Sequence, residues 1–237
     1  ANDRRFLLTD LLVGRDIDPD RPFVQDLLHV AGGEQILRAE AGHVDVLGLD
    51  YYAHNQWHWS GHQVGTNVSP APLPLADLIL EYTDRYRMPC ALAETNISGF
   101  ASDRASWLKY TLEQCELAVG RGADVRGYCW FPSIDSADWA SLLRESVGAI
   151  DPVGVFWLDE NLDRRTSSMS LSYALAASGV PSAELPAYRF RRPVSDWLGG
   201  WMPQMAHWEW RPPLPGEPCS SRHEPETAMG MEASDVA

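Results

Sequence analysis

The alternation of apolar runs with amphipathic stretches constrains this chain's fold more than any other feature. Residues 44–52 (Val-Asp-Val-Leu-Gly-Leu-Asp-Tyr-Tyr) form an apolar run of strand length without helical spacing, the pattern of a buried parallel strand. A connection rich in Gly, Ser, His and Pro follows over 53–74, too long for a simple turn and of the length that functional loops have. The spacing predicts an amphipathic helix over 75–86, broken before Pro89, and a second short buried strand over 90–93. A further helix is predicted over 104–119, opened by Ser102 or Asp103 as cap and closed by Gly120 and Gly122, and a third strand over 125–131. Strand, loop, helix, repeated, is the grammar of right-handed βαβ units on a parallel sheet. The long loops follow strands, which is where a (β/α)8 barrel of the TIM type builds its active site.

Upstream, Phe6, Leu7, Leu8, Leu11 and Leu12 recur at helical spacing over 4–13, with Gly14 as the stop, and 23–30 reads as a short helix closed by Gly32 and Gly33. Downstream the composition shifts: 9 of the 17 prolines lie at or beyond Pro181, so regular barrel units are not expected there. The expected organisation is a barrel portion over 1–180, an aromatic extension over 181–211 and a disordered tail over 212–237. In the extension, Trp197, Trp201, Trp208 and Trp210 are expected to pack on the barrel exterior.

Composition removes several function classes. With 45% hydrophobic and 22% charged residues in 237, the chain has the make-up of a soluble protein with one sizeable core. A net charge of -14 repels phosphate backbones, and Arg189 to Arg192 is the nearest thing to a basic stripe, so no nucleic-acid partner is expected. No apolar run approaches the roughly 20 residues of a spanning helix, so no membrane role is expected. The opening Ala-Asn-Asp-Arg-Arg lacks a signal-peptide layout, and a cytoplasmic location is expected. Cys90, Cys115, Cys129 and Cys219 show no ligand spacing and read as structural thiols. His54, His58 and His62 recur every four residues, but Asn55, Ser60 and Gly61 make the segment a loop, so no metal is expected. No Gly-rich phosphate loop is present, and no cofactor is expected.

The chemistry centres on Glu94, which ends the apolar strand Ala-Leu-Ala-Glu-Thr-Asn and opens a loop. Retaining glycoside hydrolysis needs a carboxylate nucleophile and a carboxylic acid about 5–5.5 Å apart, and barrels supply them from the ends of two strands. On position alone, Glu94 can equally be a side chain that only binds loop amides.

Three ordered blocks resemble the carboxyl-terminal half of the family 1 β-glycosidases, clan A barrels. Asp45 to Tyr52 is similar to the sixth-strand motif Asp-Phe-Leu-Gly-Ile-Asn-Tyr-Tyr, and Ala93 to Asn96 to the seventh-strand Thr-Glu-Asn-Gly. Gly127 to Trp139 resembles, without gaps, the eighth-strand Gly-Tyr-Phe-x-Trp-Ser-Leu-x-Asp-Asn-x-Glu-Trp. A later stretch, Gly154 to Tyr173, is similar to the family's Gly-Leu-x-x-Val-Asp and the helix after it. The resemblance implies Glu94 as nucleophile and Tyr52 as the phenol that orients it. It implies substrate contacts for Asp135, Asp138 and Trp139, with Trp130 and Phe131 around the family's Trp position and Asp50 in place of an Asn. His54, Gln56 and Trp57 are expected at the cleft mouth. Alternation puts Asp50 and Tyr52 on one strand face independently of the resemblance.

The departures bear on function. Asp50 introduces a second anion near Glu94, Asp138 is one methylene shorter than the family's Glu, and Thr95 replaces an Asn. The family's acid/base lies in an Asn-Glu-Pro motif on strand four, and no Asn-Glu dipeptide occurs here. A full barrel takes about 250 residues, so the expectation is a carboxyl-terminal half barrel, about strands five to eight, with a possible fourth strand near 153–158. Such a half should pair with the amino-terminal half or another half barrel. The function expected is the nucleophile half of a retaining, β-glucosidase-like hydrolase acting on small glycosides or oligosaccharides, inactive as an isolated chain. The rival is a non-catalytic carbohydrate-binding or assembly module derived from such a barrel.

Overall fold

The computed structural model describes residues 2–53, 55–56, 72–97, 99–138 and 144–188. They form two compact units that divide between Leu47 and Gly48. The first unit holds helices α1 (Asn2–Leu12), α2 (Pro22–Leu28) and α3 (Gly33–Leu37). Gly14 ends α1 as expected: its φ is +72°, and its amide donates to the Leu11 carbonyl at 3.1 Å. Pro22 starts α2, where its missing N–H costs nothing. Gly32 and Gly33 do not simply close α2. Gly32, at φ +85°, is the cap from which α3 begins, a helix too short to be legible from periodicity. Of the predicted apolar stripe, Phe6 and Leu7 are buried while Leu8 and Leu12 are exposed.

In the second unit the predicted alternation is present. Strand β1 (Leu47–Asp50) leads to α4 (Leu75–Tyr86), then β2 (Cys90–Thr95), α5 (Ala101–Gly120) and β3 (Val125–Trp130). These strands make one sheet in the order β1-β2-β3, with β2 and β3 parallel. Two hairpins follow: β4 (Ser136–Ala137) pairs antiparallel with β5 (Ile150–Asp151), and β6 (Trp157–Leu158) with β7 (Arg164–Arg165). The chain then enters α6 (Ser168–Ala177), opened by a capping box between Ser167 and Ser170. The fourth strand envisaged near 153–158 is therefore not a member of the parallel sheet. Trp157 and Leu158 pair antiparallel with Arg165 and Arg164, and Phe156 makes a single parallel bridge to Ile134.

The long helix α5 begins at Ala101, three residues before the predicted start, with Phe100 as a cap that offers no side-chain hydrogen bond. Neither Ser102 nor Asp103 caps it. Both are buried inside its first turn, where packing outweighs capping preference. Helix α5 contacts α4, α6 and β3, and its first eleven residues are buried on every side. Trp107 stacks on Tyr51 with ring centroids 6.1 Å apart and planes 6° from parallel, and tilts against Tyr110 at 5.4 Å. These rings, with Leu75, Ile79, Leu92 and Leu108, form the core between helices and sheet.

Polar groups on α5 also fix the segment after α6. Buried Lys109 donates to the carbonyls of Ser182 at 2.6 Å and Ala183 at 2.9 Å, and pairs with Glu113 at 3.2 Å. Ser106 exchanges hydrogen bonds with the backbone of Tyr188 at 2.7 and 2.8 Å. The remainder of the expected aromatic extension and the whole expected tail lie outside the described residues. Among the described residues, no helix is long and apolar enough to cross a membrane.

Candidate active site

The register of β2 against β3 aims Glu94. The step from Leu92 to Thr95 on β2 is matched by the shorter step from Tyr128 to Trp130 on β3, so β2 carries one extra residue there, a bulge. Leu92 and Thr95 are both buried, and the Thr95 hydroxyl accepts from the Trp107 indole N–H on α5 at 3.0 Å. The extra residue leaves Ala93 and Glu94 together on the opposite face. That face is the more open one: Gly48, Asp50, Ala93 and Cys129 are exposed on it, and Glu94 is half-buried. A Cβ added to Gly48 would lie 3.3 Å from that of Ala93, so the floor beside Glu94 is made of the smallest side chains.

Glu94 is held at both ends by the two residues that follow β1. The Tyr51 amide donates to its carbonyl at 2.8 Å, and the Tyr52 hydroxyl donates to its carboxylate. Burial, that hydrogen bond and the charges of Glu94 and Asp50 keep the Tyr52 proton well above its ordinary range, so the phenol remains a donor. Asp50 lies within the field of Glu94. Partial desolvation first, and the Glu94 charge second, raise its carboxyl above the ordinary aspartate range. The structure thus brings together Glu94, Tyr52 and Asp50.

Other candidates are placed on the surrounding loops. Phe131 is exposed, and its backbone joins the two strand ends: its amide donates to the Thr95 carbonyl at 3.1 Å and its carbonyl accepts from the Asn96 side chain at 2.5 Å. Trp130 is 4% exposed and donates its indole N–H to the Val153 carbonyl at 2.9 Å. Asp135 is 5% exposed, and its Oδ1 accepts from the Gly154 backbone amide at 2.8 Å. Burial raises its carboxyl, while the Arg104 charge and nearby backbone amides oppose that rise. Asp138, at φ +56°, accepts through Oδ1 from the amides of Val147 at 3.1 Å and Ala149 at 2.9 Å, inside the β4–β5 hairpin. Gln56 spans the base of the long connection, donating to the Leu73 carbonyl at 2.8 Å and accepting from its amide at 2.7 Å. His54, Trp57 and Trp139 lie outside the described residues.

Two features were not read from the sequence. Cys129, read there as a structural thiol, is exposed on the side of the sheet that Asp50 faces. Alternation carries the signal: its neighbour Tyr128 sends its hydroxyl to Thr111 of α5 at 2.8 Å, so residue 129 faces the other way. Arg104 is fully buried beneath the loops, and an arginine in an amphipathic stretch gives no sign of that. Cys90 and Cys115 are buried.

No family model matches the chain. The β-galactosidase of Sulfolobus acidocaldarius is 29% identical over 111 residues, 46% of this chain and 22% of that protein. The β-galactosidase of Saccharolobus solfataricus is 27% identical over 165 residues, 59% of this chain and 31% of that protein. The matched stretch therefore spans less than a third of the length of either curated relative. Among solved structures, the Thermotoga maritima β-glucosidase bound to cyclophellitol superimposes with a TM-score of 0.55 at 15% identity, covering 73% of this chain and 44% of that one. The family 1 β-glucosidase of Thermotoga maritima gives a TM-score of 0.51 at 14% identity, covering 73% and 43%. Over part of its length the chain is similar in sequence to β-galactosidases, and it has the fold of a portion of a β-glycosidase (β/α)8 barrel.

Proposed function

We propose that this chain supplies the nucleophile half of the active site of a retaining β-glycoside hydrolase acting on small glycosides or oligosaccharides. The observation that carries the reading is the hydrogen bond from Tyr52 to the Glu94 carboxylate, on a strand-end bulge that turns Glu94 to the open face of the sheet. The likeness to β-galactosidases and to a β-glucosidase supports the reaction class.

In this reading Glu94 attacks the anomeric carbon as a carboxylate, and the bond to the leaving oxygen breaks to give a glycosyl ester that water then hydrolyses. Tyr52 holds the attacking carboxylate in one orientation. Asp50 and Asp138 contact sugar hydroxyls, and Phe131 lines the cleft. Trp130 and Asp135, buried and engaged with backbone, support the loops. The general acid is absent from this sequence as an Asn-Glu motif. A carboxyl-terminal half barrel meets this lack by pairing with an amino-terminal half that carries the acid and covers the open face, and the chain alone does not turn over ordinary aryl β-glycosides. A cytoplasmic location is part of the proposal and is testable by fractionating cells that express the tagged protein.

The test is mechanism-based labelling. A 2-deoxy-2-fluoro-β-glucoside with a dinitrophenyl leaving group needs no acid assistance and traps the glycosyl ester. With the chain paired to the amino-terminal half of a family 1 barrel, digestion and mass analysis should find the label on Glu94 and lose it in Glu94→Gln. A label on another carboxylate overturns the assignment.

A further inference from the structure

The loop that follows β2 and the segments that follow β3 meet on one buried cation. Arg104 is 0% exposed and its Nη1 donates to the Gly99 carbonyl at 2.5 Å and the Pro152 carbonyl at 2.8 Å. The Gly99 amide also donates to the Pro152 carbonyl, at 3.1 Å, so three groups from two segments converge on one point. The charge of the guanidinium also reaches Asp135, whose Oδ1 accepts from the Gly154 amide at 2.8 Å. A buried charge is tolerated only where polar groups offset it, and here the Gly99 and Pro152 carbonyls take up the guanidinium while the Gly154 amide serves the Asp135 carboxylate. The room at Gly154 shows how closely the backbone wraps the anion: an added Cβ would collide with the Asp135 amide nitrogen and with Ile134.

From these contacts we infer that Arg104 and Asp135 are positioning residues that lock the loop carrying Gly99, just beyond Glu94, to the loop carrying Asp138. Asp135 is spent on this junction rather than on a sugar hydroxyl. Arg104 bonds rigidly to the first loop and to Pro152. Asp135 bonds to the Gly154 amide, two residues after Pro152, and lies three positions before Asp138 in the same chain. Displacing either partner should loosen both loops together, because one guanidinium serves the Gly99 and Pro152 carbonyls and one carboxylate holds the segment after Pro152. The consequence for catalysis rests on the reading of Glu94 above; the junction itself does not.

Two measurements on the full chain separate these levels. Hydrogen exchange read by mass spectrometry should show, in Arg104→Met, faster exchange in both 96–100 and 150–156, while α4 and β2 keep wild-type protection. Asp135→Asn, a milder change of the same size, should accelerate the same two segments to a lesser degree. Acceleration of one segment alone, uniform acceleration of the whole unit, or no change in Asp135→Asn would overturn the junction. In the paired protein, labelling of Glu94 should slow by roughly 10²-fold in Arg104→Met, the scale on which small misplacements act. Arg104→Lys should recover part of the rate, since an ammonium can still serve a carbonyl. Coupled exchange with an unchanged labelling rate refutes the positioning role and leaves the assignment of Glu94 intact.

Discussion

The Tyr52 hydroxyl donates to the Glu94 carboxylate, while the amide one residue earlier in the chain, that of Tyr51, donates to the Glu94 carbonyl at 2.8 Å. Main chain and side chain of Glu94 are therefore set by the same neighbouring segment. A bulge alone would turn Glu94 to the open face but leave its torsions free. The phenol selects one of them, and burial with the charges of Glu94 and Asp50 raises its pKa, so that it stays a donor.

Tyr52→Phe keeps the ring and removes only the donor. Hydrogen bonds to charged groups contribute about 1.5–3 kcal/mol, so the rate of Glu94 labelling should fall by roughly 10- to 100-fold. The thermal midpoint should move little, because the carboxylate is only half-buried and can recover water. An unchanged labelling rate would show that the hydrogen bond does not orient the nucleophile.

Asp50 gives a prediction with a definite sign in pH. Its carboxyl is raised by desolvation and by Glu94, so the folded state holds the proton more tightly than the unfolded state. The contribution to stability is complete below the unfolded value of about 3.9 and is lost as pH rises through the raised folded value. At neutral pH the ionised Asp50 is thus a cost that Asp50→Asn removes. Denaturant midpoints should be higher for Asp50→Asn than for wild type at pH 7 and should converge near pH 3. A difference that does not vary with pH would show that the substitution acts through something other than charge.

Thr95 is buried with its hydroxyl against the Trp107 indole N–H at 3.0 Å. Thr95→Val preserves shape and strands that N–H in the core, which should cost about 1–3 kcal/mol in urea unfolding. Both Thr95 and Trp107 lie on the helix side of β2, and the loss should therefore appear in stability before it appears in labelling of Glu94. Measuring both on the same preparation tells the two faces apart.

What could be read from the sequence was set by periodicity. The predicted α4 over 75–86 agrees with the structure residue for residue, because its apolar stripe recurs at helical spacing and Pro89 marks its end. Strands β2 and β3 were located for the complementary reason, as short apolar runs between glycines and a proline. By contrast, the start of α5 was misplaced because Ser102 and Asp103 resemble caps, and only the tertiary structure shows them buried within the first turn. The hairpins after β3 carry no periodic signal at two residues per strand. In the site, alternation was enough to pair Asp50 with Tyr52. The bulge that turns Glu94 toward them was hidden, since it is a property of register between two strands. The depth of Asp135 and Arg104 was hidden too, because each charge is acceptable in the interior only through backbone groups of distant loops, the Gly99 and Pro152 carbonyls for Arg104 and the Gly154 amide for Asp135.

Gly154 offers the sharpest check on how the segment after β5 is built. Its amide donates to Asp135 Oδ1 at 2.8 Å, while the next strand-like contact, Phe156 to Ser133, runs at 3.0 Å from amide to carbonyl. The backbone is thereby drawn so close to Ile134 and Asp135 that a methyl group has no space, and the atoms it would strike are backbone rather than a flexible side-chain tip. The requirement is one of contact and not of backbone dihedral, since Gly154 is not among the glycines at positive φ. Gly154→Ala should therefore destabilise by about 1–3 kcal/mol through overpacking, whereas Gly148→Ala, at φ +72° with open space around it, should be costly only through its dihedral. The two substitutions should also differ in where they act. Hydrogen exchange in Gly154→Ala should rise across 131–135 and 150–158 together, and in Gly148→Ala only within the β4–β5 hairpin. Wild-type stability for Gly154→Ala would mean that the segment can relax away from Asp135, and the tight wrapping around that carboxylate would have to be abandoned.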